Sequence, residues 1–142
     1  MKMETNPMSL KGFLTLGGVI LLLLAVLGYV GFGIGETLWF DNAENIAHLV
    51  LGVVAIAAVY VLPANLLKPL VIVVGVVALF FGLYGFVLPA GAMGAAGKAA
   101  TYNTFGVANL ESPVDNVLHL VVGAWALYVA FMVKEGAMPA KK

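Results

Sequence analysis

Along the chain, hydrophobic positions gather into four long runs separated by polar or glycine-rich breaks. The runs cover approximately Gly12–Phe32, Ala43–Leu62, Leu67–Leu88 and Pro113–Val133. Each holds about 20 residues, and a helix rising 1.5 Å per residue then crosses a hydrocarbon layer of roughly 30 Å. None carries a lysine in its middle, and soluble core helices of this length rarely lack a polar face. The pattern predicts an all-α membrane protein: one domain spanning residues 1–142 and forming a four-transmembrane-helix bundle. The first run exceeds the 7–15 residues of a signal-peptide core, and Gly33-Ile34-Gly35-Glu36 makes a weak cleavage site, so it is expected as a retained helix.

The breaks are unequal. Pro63-Ala64-Asn65 is a tight turn that predicts helices 2 and 3 as antiparallel neighbours. The stretch from Pro89 to Ser112, with Gly91, Gly94 and Gly97, is expected as a long outer loop, mobile in part. Trp39 and Phe40 suit an outer interface, Tyr60 and Tyr128 an inner one.

Composition sharpens this picture. Hydrophobic residues make up 63% of the chain and charged residues only 10%, against about 25% charged in a soluble domain. The bilayer is therefore the first partner implied. There is no arginine and no basic stripe, so nucleic acid is not a partner. Cysteine is absent, which excludes disulfides, thiolate metal sites and thiol catalysis. Lys2, Lys11, Lys68, Lys134, Lys141 and Lys142 fall on one side of a four-crossing chain, and Lys98 alone on the other. The positive-inside rule makes the lysine-rich side cytoplasmic, with both termini there and the chain multi-pass in the cell inner (plasma) membrane.

The chain also repeats itself. Glu44-Asn45-Ile46-Ala47-His48-Leu49-Val50-Leu51-Gly52 opens helix 2, and Asp115-Asn116-Val117-Leu118-His119-Leu120-Val121-Val122-Gly123 opens helix 4. Helix 1 ends Leu27-Gly28-Tyr29-Val30-Gly31-Phe32, and helix 3 ends Gly82-Leu83-Tyr84-Gly85-Phe86. The bundle thus reads as two parallel pseudo-repeated helical hairpins about a pseudo-twofold axis along the membrane normal. His48 and His119 would then share one depth.

Both motifs begin with helix start signals. Asp41 precedes Ala43 and Glu44, and Ser112-Pro113 precedes Asp115, each resembling a capping box. On the helix surface Asn45, His48, Gly52 and Ala55 share a face, as do Asn116, His119, Gly123 and Ala126. Small residues let membrane helices approach, and His and Asn hydrogen-bond across the contact, so the stripe works as a structural clamp without any ligand. Three ligand readings stand beside it. In the first, His48 and His119 are axial ligands of haem or a chlorophyll-type pigment, with Gly52 and Gly123 giving the macrocycle a close face and Asn45 and Asn116 beside it. In the second, His48, His119, Glu44 and Asp115 hold a divalent metal, each acid and histidine being spaced i, i+4; each carboxylate also suits an orienting role behind its histidine. The third is a quinone or lipid headgroup held near the outer interface. The cofactor itself stays open.

Other chemistry fits poorly. No phosphate-binding or dinucleotide loop is present, and Ser9 and Ser112 are the only serines. Gly31-x-x-x-Gly35 matches a helix-packing motif at the end of helix 1. No ionisable residue lies near the midplane to mark a transport path in a lone bundle.

Thr104-Phe105-Gly106-Val107-Ala108-Asn109-Leu110, followed by Asn116-x-x-His119-Leu120-x-x-Gly123, resembles a bacterial family of four-helix integral membrane proteins known as domain of unknown function 4383. The family's Phe-Gly-Val-Asn segment is one residue longer here, and its Asn-x-x-His motif recurs at Asn45, His48 and Gly52. The resemblance spans about Leu14 to Val133 and implies fold and location, with no substrate or catalytic residue. The function expected is non-enzymatic: a structural or interaction protein, for instance an accessory subunit bound to other membrane proteins or to itself. The alternative is a membrane protein binding haem, pigment or metal through the two histidines.

Overall fold

The computed structural model describes residues 6–35, 38–87, 92–93, 99–104, 108–110 and 113–132. Four helices dominate: α1 (Leu10–Tyr29), α2 (Asn42–Val61), α3 (Ala64–Val87) and α4 (Val114–Met132). Each is long and apolar enough to cross a membrane.

Local chemistry sets their ends. Ser9 caps α1, its hydroxyl accepting from the Gly12 N–H at 2.9 Å. Asp41 caps α2, its carboxylate accepting from the Glu44 N–H at 2.7 Å. This is the start signal read from the sequence; the Ser112 cap proposed for helix 4 lies outside the described residues. Helix α1 stops because Gly31 turns left-handed at φ 75°. The Gly31 N–H then reaches the Gly28 carbonyl and the Phe32 N–H reaches that of Leu27, a Schellman closure. Gly31 and Gly35 both have positive φ beyond the helix, so the GxxxG reading at these positions does not describe a helix contact. Helix α2 ends where Leu62 becomes extended before Pro63, which disfavours helical geometry in the residue ahead of it.

Helix α1 packs along α2 and α3 along α4, while α1 also touches α3 and α4. The tight turn at residues 63–65 was expected to make α2 and α3 packed neighbours, yet they barely touch along their lengths. The reason lies in their glycines. The bare backbone at Gly52 faces α1 and that at Gly75 faces α4, so the faces that permit close approach are already occupied.

The main apolar core lies in the half of the bundle nearest the α2–α3 turn, termed here the turn end. There Leu14, Val59, Leu67, Val71 and Val129 draw on all four helices. Two further contacts fasten that end. The Trp125 indole N–H donates to the Pro7 carbonyl at 2.9 Å, and the ring meets Phe13 edge-on at 4.6 Å. The Lys68 ammonium sits 5.7 Å from the Phe131 ring. Val53 and Val54 on α2, Val73 and Val76 on α3, and Leu23 and Val26 on α1 are all more than half exposed. That much bare apolar surface is a lipid-facing surface.

The opposite, loop end is less purely helical than the sequence indicates. The segment expected as a loop contains three short antiparallel strands, β1 (Ala92–Met93), β2 (Ala99–Thr104) and β3 (Ala108–Leu110), in the order β1-β2-β3. Thr101, Tyr102 and Thr104 are residue types that favour strands. Strand β3 lies against α2, and Leu110 is wholly buried. Trp39, read as an interfacial anchor, is also buried in the protein, whereas Tyr60 and Tyr128 are exposed.

Candidate functional site

Helices α2 and α4 both begin at the loop end, which places Asn45 and His48 on one and Asn116 and His119 on the other. The asparagines and glycines of the two stripes have a definite role. The Asn45 carboxamide occupies the space a side chain at Gly28 would take, and the Asn116 carboxamide does the same at Gly85. One layer deeper, a side chain at Gly52 would stand 2.9 Å from the Gly18 carbonyl oxygen, and one at Gly123 would stand 2.9 Å from that of Gly75. Leu22 and Leu79 fill the remaining room over Gly52 and Gly123. The four residues read as a possible cofactor face are therefore placed between paired helices. At Gly52 and Gly123 the close face is taken up by α1 and α3.

The asparagine contacts are unusual in their hydrogen bonding. The Asn45 Oδ1 and both polar atoms of the Asn116 amide are buried with no conventional partner among the described residues. A glycine Cα–H beside the amide oxygen supplies a weak donor, about 0.5–1 kcal/mol.

The histidines are set apart from these contacts, each half-buried. His119 Nδ1 donates to the Asp115 carbonyl oxygen at 2.9 Å and stands 3.2 Å from the Asp115 carboxylate. A carbonyl oxygen only accepts, so Nδ1 carries a proton. The Asp115 carboxylate orients its histidine, as the i, i+4 spacing allows. His48 differs: its Nδ1 is buried without a hydrogen-bond partner among the described residues. Its ring stands 5.9 Å from Phe40, edge-on, and the His119 ring stands 6.0 Å from Phe81.

Glu44 and Asp115 are buried at the first turns of their helices. Among the described residues no three His, Asp or Glu side chains gather in a way that could hold a metal ion, and that set includes Glu44, His48, Asp115 and His119. The structure joins Asp115 to His119.

Sequence reasoning passed over Gly18 and Gly75, and took Gly28 and Gly85 only as part of the repeat; these four glycines are the other half of each contact. A signal existed: Gly18 and Gly28 are separated by ten positions, as are Gly75 and Gly85, and a leucine follows four residues after the first of each pair. The asparagine contacts set Gly28 opposite Gly85.

No family model, curated protein or solved structure matches this chain.

Proposed function

We propose that this chain is a non-enzymatic membrane protein with a structural or interaction role, an accessory subunit of a larger membrane assembly. It consists of two like hairpins, α1–α2 and α3–α4, related by a pseudo-twofold axis along the membrane normal. The turn end and both termini lie in the cytoplasm, and the chain crosses the plasma membrane four times. The resemblance to the bacterial four-helix family agrees with this reading.

One observation carries it: the polar and small residues that distinguish α2 and α4 are absorbed in paired helix contacts, Asn45 on Gly28 and Asn116 on Gly85. Residues that serve helix association need no substrate to explain them. The broad exposed apolar faces of α2 and α3 leave room for neighbours in the bilayer. The test is extraction in a gentle detergent followed by native mass measurement. A complex with another membrane subunit or with further copies of the chain is expected; a clean monomer with no partner counts against the role.

A second reading is favoured by His119 alone. A metal-binding histidine almost always donates its other ring N–H to a carbonyl or carboxylate, and His119 Nδ1 does so. In this reading His48 and His119 bind a haem, a chlorophyll-type pigment or a metal. The absorption spectrum of the purified protein, with elemental analysis, tests it: a Soret or chlorin band, or stoichiometric metal lost in the His48→Ala, His119→Ala variant, is the expected result. A colourless, metal-free sample removes the reading.

A further inference from the structure

The chain carries no net charge, yet its charges are segregated along the bundle. The six lysines whose segments lead into or out of the turn end are offset there only by Glu4 and Glu135. Lys98 shares the loop-end segments with five acids, Glu36, Asp41, Glu44, Glu111 and Asp115. Among the described residues of the turn end, Lys11 and Lys68 are both exposed, and neither is paired with a carboxylate of another described residue.

Lys68 has a defined place at that end. It is the fifth residue of α3, and Phe131 is the penultimate residue of α4, the helix packed along α3. The Lys68 ammonium lies 5.7 Å from the centre of the Phe131 ring, so it stands at the level where α4 ends. Phe131 is 61% exposed, and Tyr128, one turn back on the same face, is 49% exposed. A lysine lays its methylene stem along apolar surface and carries its charge to the headgroup level. The cation therefore sits on the rim of the lipid-facing surface, with bare aromatic surface leading away from it into the hydrocarbon.

We propose that this rim binds an anionic phospholipid of the phosphatidylglycerol type, its phosphate on the Lys68 ammonium and an acyl chain along Phe131 and Tyr128. Two features select that ligand. The excess of lysine over acid at the turn end attracts an anionic headgroup more than a zwitterionic one, whose own ammonium offsets its phosphate. The apolar surface beside the cation is exposed, and an acyl chain covers it where a soluble phosphate would not. The described residues of the loop end include no lysine, so the preference belongs to one leaflet. The proposal rests on the four-crossing reading and is independent of the assembly role.

The test is native mass spectrometry of the full chain in a gentle detergent. The chain is titrated with phosphatidylglycerol or with phosphatidylcholine of identical acyl chains, and the first bound lipid is read. A preference of roughly fivefold for phosphatidylglycerol is expected, the share that one lysine near a headgroup supplies. Most of it is expected to be lost in Lys68→Gln and kept in Lys68→Arg, whose guanidinium retains both the charge and the aromatic contact. The preference is also expected to shrink as ionic strength rises. Lys68 is exposed, so helicity by circular dichroism is expected unchanged in both variants. Equal binding of the two lipids, or a preference that survives Lys68→Gln in full, overturns the proposal. Competition by glycerol 3-phosphate at the lipid's own concentration also overturns it, in favour of a soluble phosphate. A chain that stays monodisperse without detergent and takes up neither lipid overturns the membrane-spanning reading beneath it.

Discussion

At Gly28 and Gly85 the smallest residue meets an asparagine, and the fit leaves no room for even a methyl group. Gly28→Ala and Gly85→Ala must push the carboxamides aside, at a cost of about 1–3 kcal/mol for overpacking a tight contact. Gly17→Ala is the control, because open space surrounds that position. It should raise stability by roughly 0.5–1 kcal/mol, since alanine restricts the unfolded chain. Thermal unfolding in detergent, followed by circular dichroism, ranks the three; equal midpoints would show that the asparagine contacts carry no strain-sensitive packing. Legibility at this scale was partial. The spacing of Asn45, His48 and Gly52 announced a shared face. It could not say that this face meets α1, because the partner glycines mean nothing until two helices are set in register.

Among elements, the helices were legible because each signal is local. Asp41 announces α2 through a bond to a residue three positions on, and Gly31 ends α1 through bonds within one turn. Asp41→Ala removes that cap and is expected to cost about 1 kcal/mol, within a range of 0.5–2. Faster hydrogen exchange at Asn42, Ala43 and Glu44 would be its signature, with the remainder of α2 unaffected; uniform destabilisation of the helix would point to a role for Asp41 beyond the cap. Pro69 poses the opposite case. It sits inside α3, six residues from the start, and lacks the N–H that would reach the carbonyl of Asn65. Pro69→Ala restores that donor and is expected to raise the thermal midpoint in detergent; an unchanged or lower midpoint would show that the missing bond costs nothing here. The strands of the loop end were not legible. Each is two to six residues long, too short for an alternating pattern to rise above a glycine- and alanine-rich background.

For the molecule as a whole, the question is what joins two helix pairs that each hold together so closely. The answer lies at the turn end, where the mixed core and the Trp125–Pro7 bond tie the segment before α1 to α4. Trp125→Phe keeps an aromatic ring near Phe13 but removes the N–H donor together with part of the indole's packing on the core, so a loss of at least about 1 kcal/mol is expected, with earlier proteolysis near Pro7. The proposed cytoplasmic placement of this same end is cleanly testable, because the chain has no cysteine. Single cysteines at Asn65, in the first turn of α3, and at Phe32, just beyond α1, sit at opposite ends of the bundle and are both exposed. A membrane-impermeant maleimide applied to intact cells is expected to label Phe32→Cys and to reach Asn65→Cys only after permeabilisation. The reverse pattern would invert the protein in the membrane while leaving its packing intact. Labelling of both from one side would be incompatible with α1 and α2 as separate crossings, and with them would fall the common depth of His48 and His119 on which any joint role of the two rings depends.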